Sequence, residues 1–477
     1  MNTPIMRLFG LVVVLFALLV VFTTRWTVLE AKGLRDNPLN RRSLLEQQLI
    51  PRGVIRDVSG GVLARNQRHK GGIYTRTYTP EAREFAHALG YSFLRIGTAG
   101  LEKSRNDVLS GQTNDFRSLV DQLTGKRQRG DEIVTTLDPK GQKAAINGLA
   151  SHSGAVVALD PRTGAVKVMA STPTYDPNTL NDPGVYSRLS TDAKNKPLVN
   201  RATQFGYAPG STFKVVTATA AIDSGKFTPQ STVSGRNRVP ISGVPLQNDE
   251  NESFGQIDLT TALAKSVNTA WAQVAERVGR STMTRYMDRF GFNATPKLDY
   301  PATQMTPSGS YYNGRLISPL SPRVDLGRMG IGQDKLNATP LQMAEVAAAV
   351  ANGGTLMKPH LTARIVDPDG RTVETIQPQV QSHVMQPSTA QAVNGMMQAV
   401  VTSGTGTTAQ IPGIKVAGKT GTAETQIGTT INNVWFIAFA PADHPRIAVA
   451  VTVAQVPGFG AQFAAPVAKQ VMEALLK

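Results

Sequence analysis

Three separated polar clusters in this chain have the residue types and spacings that acyl transfer requires. In "APGSTFKVVTA", Ser211 follows a Pro209-Gly210 turn and stands three residues before Lys214, at the mouth of an apolar, helix-compatible run. A serine at a helix amino terminus lies where free N–H groups and the helix dipole favour developing negative charge. The i, i+3 spacing stacks the lysine beside it. That lysine can take the serine proton once burial and a second cation lower its pKa from the usual ~10.4. For an arbitrary Ser-x-x-Lys, a capping serine and a snorkelling lysine form the simpler reading. Here the pair is the only Ser-x-x-Lys in the chain, and the apolar run after Lys214 makes a charge costly.

"VAGKTGTAE" supplies the second cation: Lys419, Thr420, Gly421 and Thr422 open an expected strand whose glycines let a substrate backbone approach closely. Alone, Lys-Thr-Gly also describes a surface turn. "AKSVNTAW" sets Ser266 and Asn268 between two helical runs, "DLTTALAK" and "TAWAQVAERVG". Ser104 to Asn106 also spells Ser-x-Asn, but only Ser266 to Asn268 falls between the other two clusters.

Composition narrows the chemistry further. With no cysteine, thiolate nucleophiles, disulfides and Cys-based zinc sites are all excluded. Six histidines and no His-Glu-x-x-His or Gly-x-Ser-x-Gly remove the main supports of zincin and α/β-hydrolase readings. A histidine-free mechanism fits better. The net charge of +16 is scattered, without a basic run or interleaved aromatics, so it points to an anionic membrane or cell-wall surface rather than nucleic acid.

The elements that must hold these clusters follow from the 477-residue pattern. Residues 1–25 carry the apolar run "LFGLVVVLFALLVVF" between Arg7 and Arg25, expected as a single transmembrane anchor. A cleaved signal peptide is the alternative, although no small-x-small site closes the run. Because Arg25, Lys32, Arg35, Arg41 and Arg42 follow the span, the positive-inside rule does not support an exported body, and export is inferred from the domains that follow. Residues 26–48 read as a juxtamembrane helix or linker. Residues 49–150 alternate short β-like runs with turns around a helical stretch at "PEAREFAHALGYSFLR", a small mixed α/β domain. Residues 151–477 begin with a hairpin at "GAVVALDPRTGAVKVMAS" and end with a matching pair at "NVWFIAFAPADHPRIAVAVTVAQV" and a last helix. An α+β body is expected, an antiparallel sheet covered by helices whose first and last strands pair.

The ordered triple Ser211-x-x-Lys214, Ser266-x-Asn268, Lys419-Thr420-Gly421 is the signature of penicillin-binding proteins and serine β-lactamases. Over nearly its whole length the chain resembles the class B penicillin-binding proteins, monofunctional D,D-transpeptidases, of the short actinobacterial penicillin-binding protein A type. "RGVIRDVSGGVLA" resembles the family's pedestal motif, "GIGQDKLNATPLQMAEVAAAVANGG" its Gly-Gln…Thr-Pro-Leu-Gln-Met-Ala block, and "VWFIAFAP" the strand after Lys-Thr-Gly. The resemblance implies a serine β-lactamase/transpeptidase-like domain behind a pedestal. It makes Ser211 the acylated nucleophile, Lys214 its general base and Ser266 a proton relay to the leaving amine. Asn268 would hold the donor's amide, Lys419 the field for its terminal carboxylate, and Thr420 and Thr422 the contacts to that carboxylate. The N–H groups of Ser211 and Thr422 would form an oxyanion hole, elsewhere worth on the order of 10²–10³ in rate per donor.

The implied reaction cross-links peptidoglycan stem peptides carried on lipid-linked glycan strands, with β-lactams as inhibitors and no cofactor or metal. The implied location is the cell membrane, single-pass, with the catalytic domain extracytoplasmic. A polytopic glycosyltransferase of the shape, elongation and division group is the implied partner. A β-lactamase or penicillin-sensing domain carries the same triple. Against it stand Ser-Val-Asn in place of Ser-Asp-Asn, the lack of a Glu-x-x-Leu-Asn box, and the long preceding domain. A non-enzymatic scaffold would tolerate a damaged triple, and residues 49–150 are too few for an added glycosyltransferase.

Overall fold

The computed structural model describes residues 2–26, 30, 48–112, 129–424 and 431–477. Helix α1 (Asn2–Thr24) is apolar apart from Arg7 and its polar ends; an 18-residue window within Thr3–Thr24 reaches a mean hydropathy of 2.9, with none of that window buried against the rest of the chain. At ~1.5 Å per residue it reaches about 34 Å, long enough to cross a membrane. Most of the expected linker, 27–29 and 31–47, lies outside the described residues.

The pedestal is built on strands Ile55–Arg56, Val62–Arg68, Tyr74–Tyr78 and Glu132–Thr135. Two strands from far downstream, Thr362–Val366 and Thr372–Thr375, extend this sheet to six through antiparallel pairing of Thr362–Val366 with Glu132–Thr135. Between its strands, the expected helical stretch breaks into two short turns, Pro80–Arg83 and Ala86–Leu89, followed by the two-residue strand Ser92–Phe93. Gly90 ends the helix at φ +75°, where an added Cβ would lie 2.0 Å from the carbonyl oxygen of Ala99. That approach requires glycine.

The body carries helices α2 (Pro139–Leu149), α3 (Lys214–Asp223), α4 (Leu259–Ala264), α5 (Asn268–Val278), α6 (Pro340–Ala351), α7 (Pro387–Ser403) and α8 (Gly460–Leu476). Its sheet comprises β1 (Gly154–Leu159), β2 (Val166–Thr172), β3 (Ala417–Glu424), β4 (Ile431–Ala440) and β5 (Ile447–Pro457), fully antiparallel in the order β3-β4-β5-β1-β2. First and last strands pair as the patterning predicts, with Ala158 opposite Val449.

Successive side chains on a strand point to opposite faces, and here both faces are covered, which is why the strands read as continuous apolar runs. Val156, Ala158, Phe436, Ala438, Val449 and Val451 pack under Ala464, Ala468 and Val471 of α8 and Ala145 and Leu149 of α2. Their neighbours Ala155, Val157, Trp435, Ile437, Phe439 and Ala450 belong to the second core, with Val346 and Ala347 of α6 and Val215 and Val216 of α3. Each buried valine or leucine contributes ~1.5–3 kcal/mol. Helix α2, N-capped by the Asp138 carboxylate, packs on α8 although it precedes the boundary expected at residue 150. Pedestal and body are tied by an Arg105–Asp299 ion pair at 2.9 Å and by the Tyr300 hydroxyl donating to the carbonyl of His87 at 2.5 Å.

Candidate active site

Ser211 lies in a single 3₁₀ turn, Gly210–Phe213, that runs directly into α3, so the expected helix start is present but tighter than an α-turn. Gly210 sits at φ +52°, and an added Cβ would lie 2.4 Å from the carbonyl oxygen and 3.1 Å from the nitrogen of Thr422. The Ser211 turn and the Lys-Thr-Gly strand therefore touch backbone to backbone. From the other side, Gly210 N–H donates to the carbonyl of Gly332 at 2.9 Å, and Gly332, at φ +78°, leaves 2.0 Å between an added Cβ and the Gly210 oxygen. The Trp435 indole N–H donates to the Ala208 carbonyl at 3.0 Å, pinning the approach to this turn.

Lys214, on the first turn of α3, is completely buried. Its Nζ donates to the carbonyl of Ser266 at 2.6 Å and to Asn268 Oδ1 at 2.6 Å, and lies 3.2 Å from Ser266 Oγ. A neutral amine has two N–H groups and one lone pair. The two carbonyl acceptors use both N–H groups, which leaves the lone pair for a hydroxyl proton. Burial lowers the Lys214 pKa to about 7, against the raising influence of Asp249.

Lys419, on β3, is also fully buried, and its Nζ donates to Ser266 Oγ at 2.9 Å and to the Thr420 carbonyl at 3.0 Å. Burial first and the neighbouring Lys214 second hold its pKa well below the ordinary lysine value. Ser266 thus bridges the two amines. It does so from φ +58°, a left-handed conformation that costs a non-glycine residue roughly 1–3 kcal/mol, in the bend between α4 and α5.

The expected site residues Ser211, Lys214, Ser266, Asn268, Lys419, Thr420, Gly421 and Thr422 converge on one region, and five of them, Ser211, Ser266, Thr420, Gly421 and Thr422, line a cleft of about 390 Å³. Other residues there carry no motif. Asp249 accepts from Asn268 Nδ2 at 3.1 Å, and with Glu250 and Glu252 gives the cleft an acidic wall. Thr405 shares a 2.6 Å hydroxyl–hydroxyl hydrogen bond with Thr420 and thereby orients it. The acidic run "NDENES" and the glycine-flanked threonine of "SGTG" were the available signals. Among the described residues no His/Cys/Asp/Glu cluster has metal-binding geometry.

This arrangement matches known proteins. Residues 154–473 match the family described as the penicillin-binding protein transpeptidase domain, and residues 52–133 the penicillin-binding protein A dimerisation domain. The chain is 34% identical to the peptidoglycan D,D-transpeptidase PbpA of Mycolicibacterium smegmatis, covering 100% of this chain and 99% of that one. It is 30% identical to the peptidoglycan D,D-transpeptidase MrdA of Escherichia coli over 79% of this chain and 68% of that one. The fold superposes on penicillin-binding protein A from M. tuberculosis, captured as a ceftriaxone acyl-enzyme, with a TM-score of 0.82 and 32% identity over 91% of this chain and 100% of that one.

Proposed function

The chain belongs to the penicillin-binding protein transpeptidases, and we propose that it cross-links peptidoglycan through an acyl-enzyme on Ser211. Its activity is that of a serine-type D-Ala-D-Ala transpeptidase, the class of enzyme that β-lactams acylate. The observation that carries the residue assignment is the Lys214 amine, buried, with both N–H groups committed to carbonyl acceptors.

In this reading Ser211 Oγ attacks the penultimate D-Ala carbonyl of the donor stem while its proton passes to the Lys214 lone pair. The N–H groups of Ser211 and Thr422 receive the oxyanion, held close by the contact of Gly210 with Thr422. Ser266, hydrogen-bonded to both lysines, carries the proton from Lys214 to the leaving amine of D-Ala. An amine from a neighbouring stem then attacks the acyl-enzyme, returns a proton along the same path and leaves Ser211 free. The donor's terminal carboxylate lies against Lys419, Thr420 and Thr422, and its negative charge restores the charge that burial disfavours on Lys419. Asn268, fixed by Asp249, holds the donor's amide, and the acidic wall of Asp249, Glu250 and Glu252 attracts the acceptor ammonium.

Helix α1 anchors the chain in the cell membrane with the pedestal and body outside, and a polytopic glycosyltransferase supplies the uncross-linked strands; the length and hydropathy of α1 support the anchor. The test is D-Ala release from a pentapeptide donor in the presence of a D-amino acid acceptor. Acceptor-dependent release that is lost in Ser211→Ala is the expected result, and release unaffected by that substitution would refute the assignment.

A further inference from the structure

We infer that the pedestal carries a second, non-catalytic groove that binds a segment of uncross-linked glycan strand with its acidic stem peptides. The identity of the polymer rests on the transpeptidase reading; the groove itself rests on the pedestal. Two clefts of about 610 and 880 Å³ are both lined by Arg52, Asn66 and Tyr74, so they adjoin along the strand pair Val62–Arg68 and Tyr74–Tyr78. They share no lining residue with the cleft at Ser211.

The two ends differ in chemistry. One is rich in amides and rings: the side chains of Gln67 and Asn181, exposed and with no hydrogen bond among the described residues, stand with Tyr74 and Phe93. Amides match sugar hydroxyls and N-acetyl groups, and rings match the apolar faces of sugars. The other end is basic. Arg65, Arg129 and Arg364 are exposed and pair with no carboxylate among the described residues, whereas Arg56 is held by Glu132 at 2.8 Å. Guanidinium groups bind carboxylates bidentately.

Beneath the junction lies an unbalanced buried charge. Arg52 and Arg76 share the single carboxylate of Glu102, which burial pushes up but the two guanidinium groups pull down below its ordinary value. One positive charge is left in excess. Arg76 Nη2, buried on a residue that lines the amide-rich cleft, has no hydrogen-bond partner. The uncompensated positive charge beneath the junction draws an anionic ligand into the cleft. A membrane surface would call for apolar or lysine-rich walls, and an acidic protein segment would leave the amide end unused. A polymer of N-acetylated sugars bearing carboxylates fits both ends.

The test uses the full-length protein in detergent, with the catalytic cleft blocked by prior penicillin treatment. Binding is titrated with soluble uncross-linked glycan–stem oligomers, the same glycans stripped of stems, and poly-glutamate. Residual binding of glycan–stem oligomers is expected in the blocked protein. Arg65→Glu/Arg364→Glu weakens it at least tenfold, and Gln67→Ala/Asn181→Ala weakens both stem-bearing and stem-free glycans several-fold. Both variants take up penicillin at the wild-type rate and keep the wild-type melting temperature. Unchanged glycan affinity in both variants, or loss of all glycan binding on penicillin treatment, would overturn the groove. Poly-glutamate binding as tightly as glycan–stem, with no effect of Gln67→Ala/Asn181→Ala, would replace the glycan with an acidic protein partner. Failure of the wild type to take up penicillin would instead count against the transpeptidase reading, and the groove would then stand or fall on the same titration of the untreated protein.

Discussion

A lysine is a poor base while charged, and the role proposed for Lys214 depends on burial making its neutral form accessible near pH 7. The sign follows directly: with its pKa lowered to about 7, the active amine accumulates as pH rises through that value. Penicillin acylation of Ser211 is therefore expected to accelerate from pH 6 to pH 8 and then level off, measured as the pseudo-first-order rate of adduct formation. Lys214→Arg puts in its place a side chain of similar reach that cannot deprotonate. It should lower the acylation rate by about 10²–10⁴-fold, the usual worth of a general base, and also lower the melting temperature, because burial at this position disfavours a permanent charge. Wild-type labelling by that variant would remove Lys214 from its role. At this scale Ser211, Lys214, Ser266 and Lys419 were legible because their spacing recurs in a fixed order. Asp249 and Thr405 were not, since an acidic loop and a small-residue loop acquire meaning only when folding brings them against Asn268 and Thr420.

Among elements, the strand pattern at both ends of the body was readable because paired apolar runs with a turn between them have few other folds, and β1 and β5 do pair. The block "GIGQDKLNATPLQ" was recognisable as a motif without its physical reason. Gly332 supplies that reason: its backbone closes on Gly210 behind Ser211, at a positive φ and with no room for a Cβ. Gly332→Ala must push the Ser211 turn away from Thr422. Expected are a lower melting temperature, equivalent to at least about 1 kcal/mol, and an acylation rate that falls more than stability alone explains. Both are read from one protein preparation by calorimetry and by penicillin labelling. An alanine variant with wild-type acylation would show that this contact does not position Ser211. What the sequence concealed is the origin of two pedestal strands, Thr362–Val366 and Thr372–Thr375, because a pairing partner some 230 residues away leaves no local signature.

Across the whole molecule, an apolar N-terminal helix, a pedestal sheet completed by the body, and a two-core catalytic domain stand in series. Because the site residues all lie beyond residue 210, removing residues 1–25 is expected to yield a soluble protein that acylates at the full-length rate. Recovery of the native chain from membranes without those residues would mark them as a signal peptide instead. The same truncated protein allows the most direct measurement of all, intact-mass and peptide mass spectrometry after exposure to penicillin. Efficient hydrolysis of the adduct would need a base aimed at water, and the chain has no Glu-x-x-Leu-Asn box to provide one. One penicillin per chain is predicted, on the peptide containing Ser211, absent in Ser211→Ala and persisting for many minutes after excess drug is removed; rapid multiple-turnover hydrolysis with no trapped adduct, or an adduct on any other residue, would contradict it.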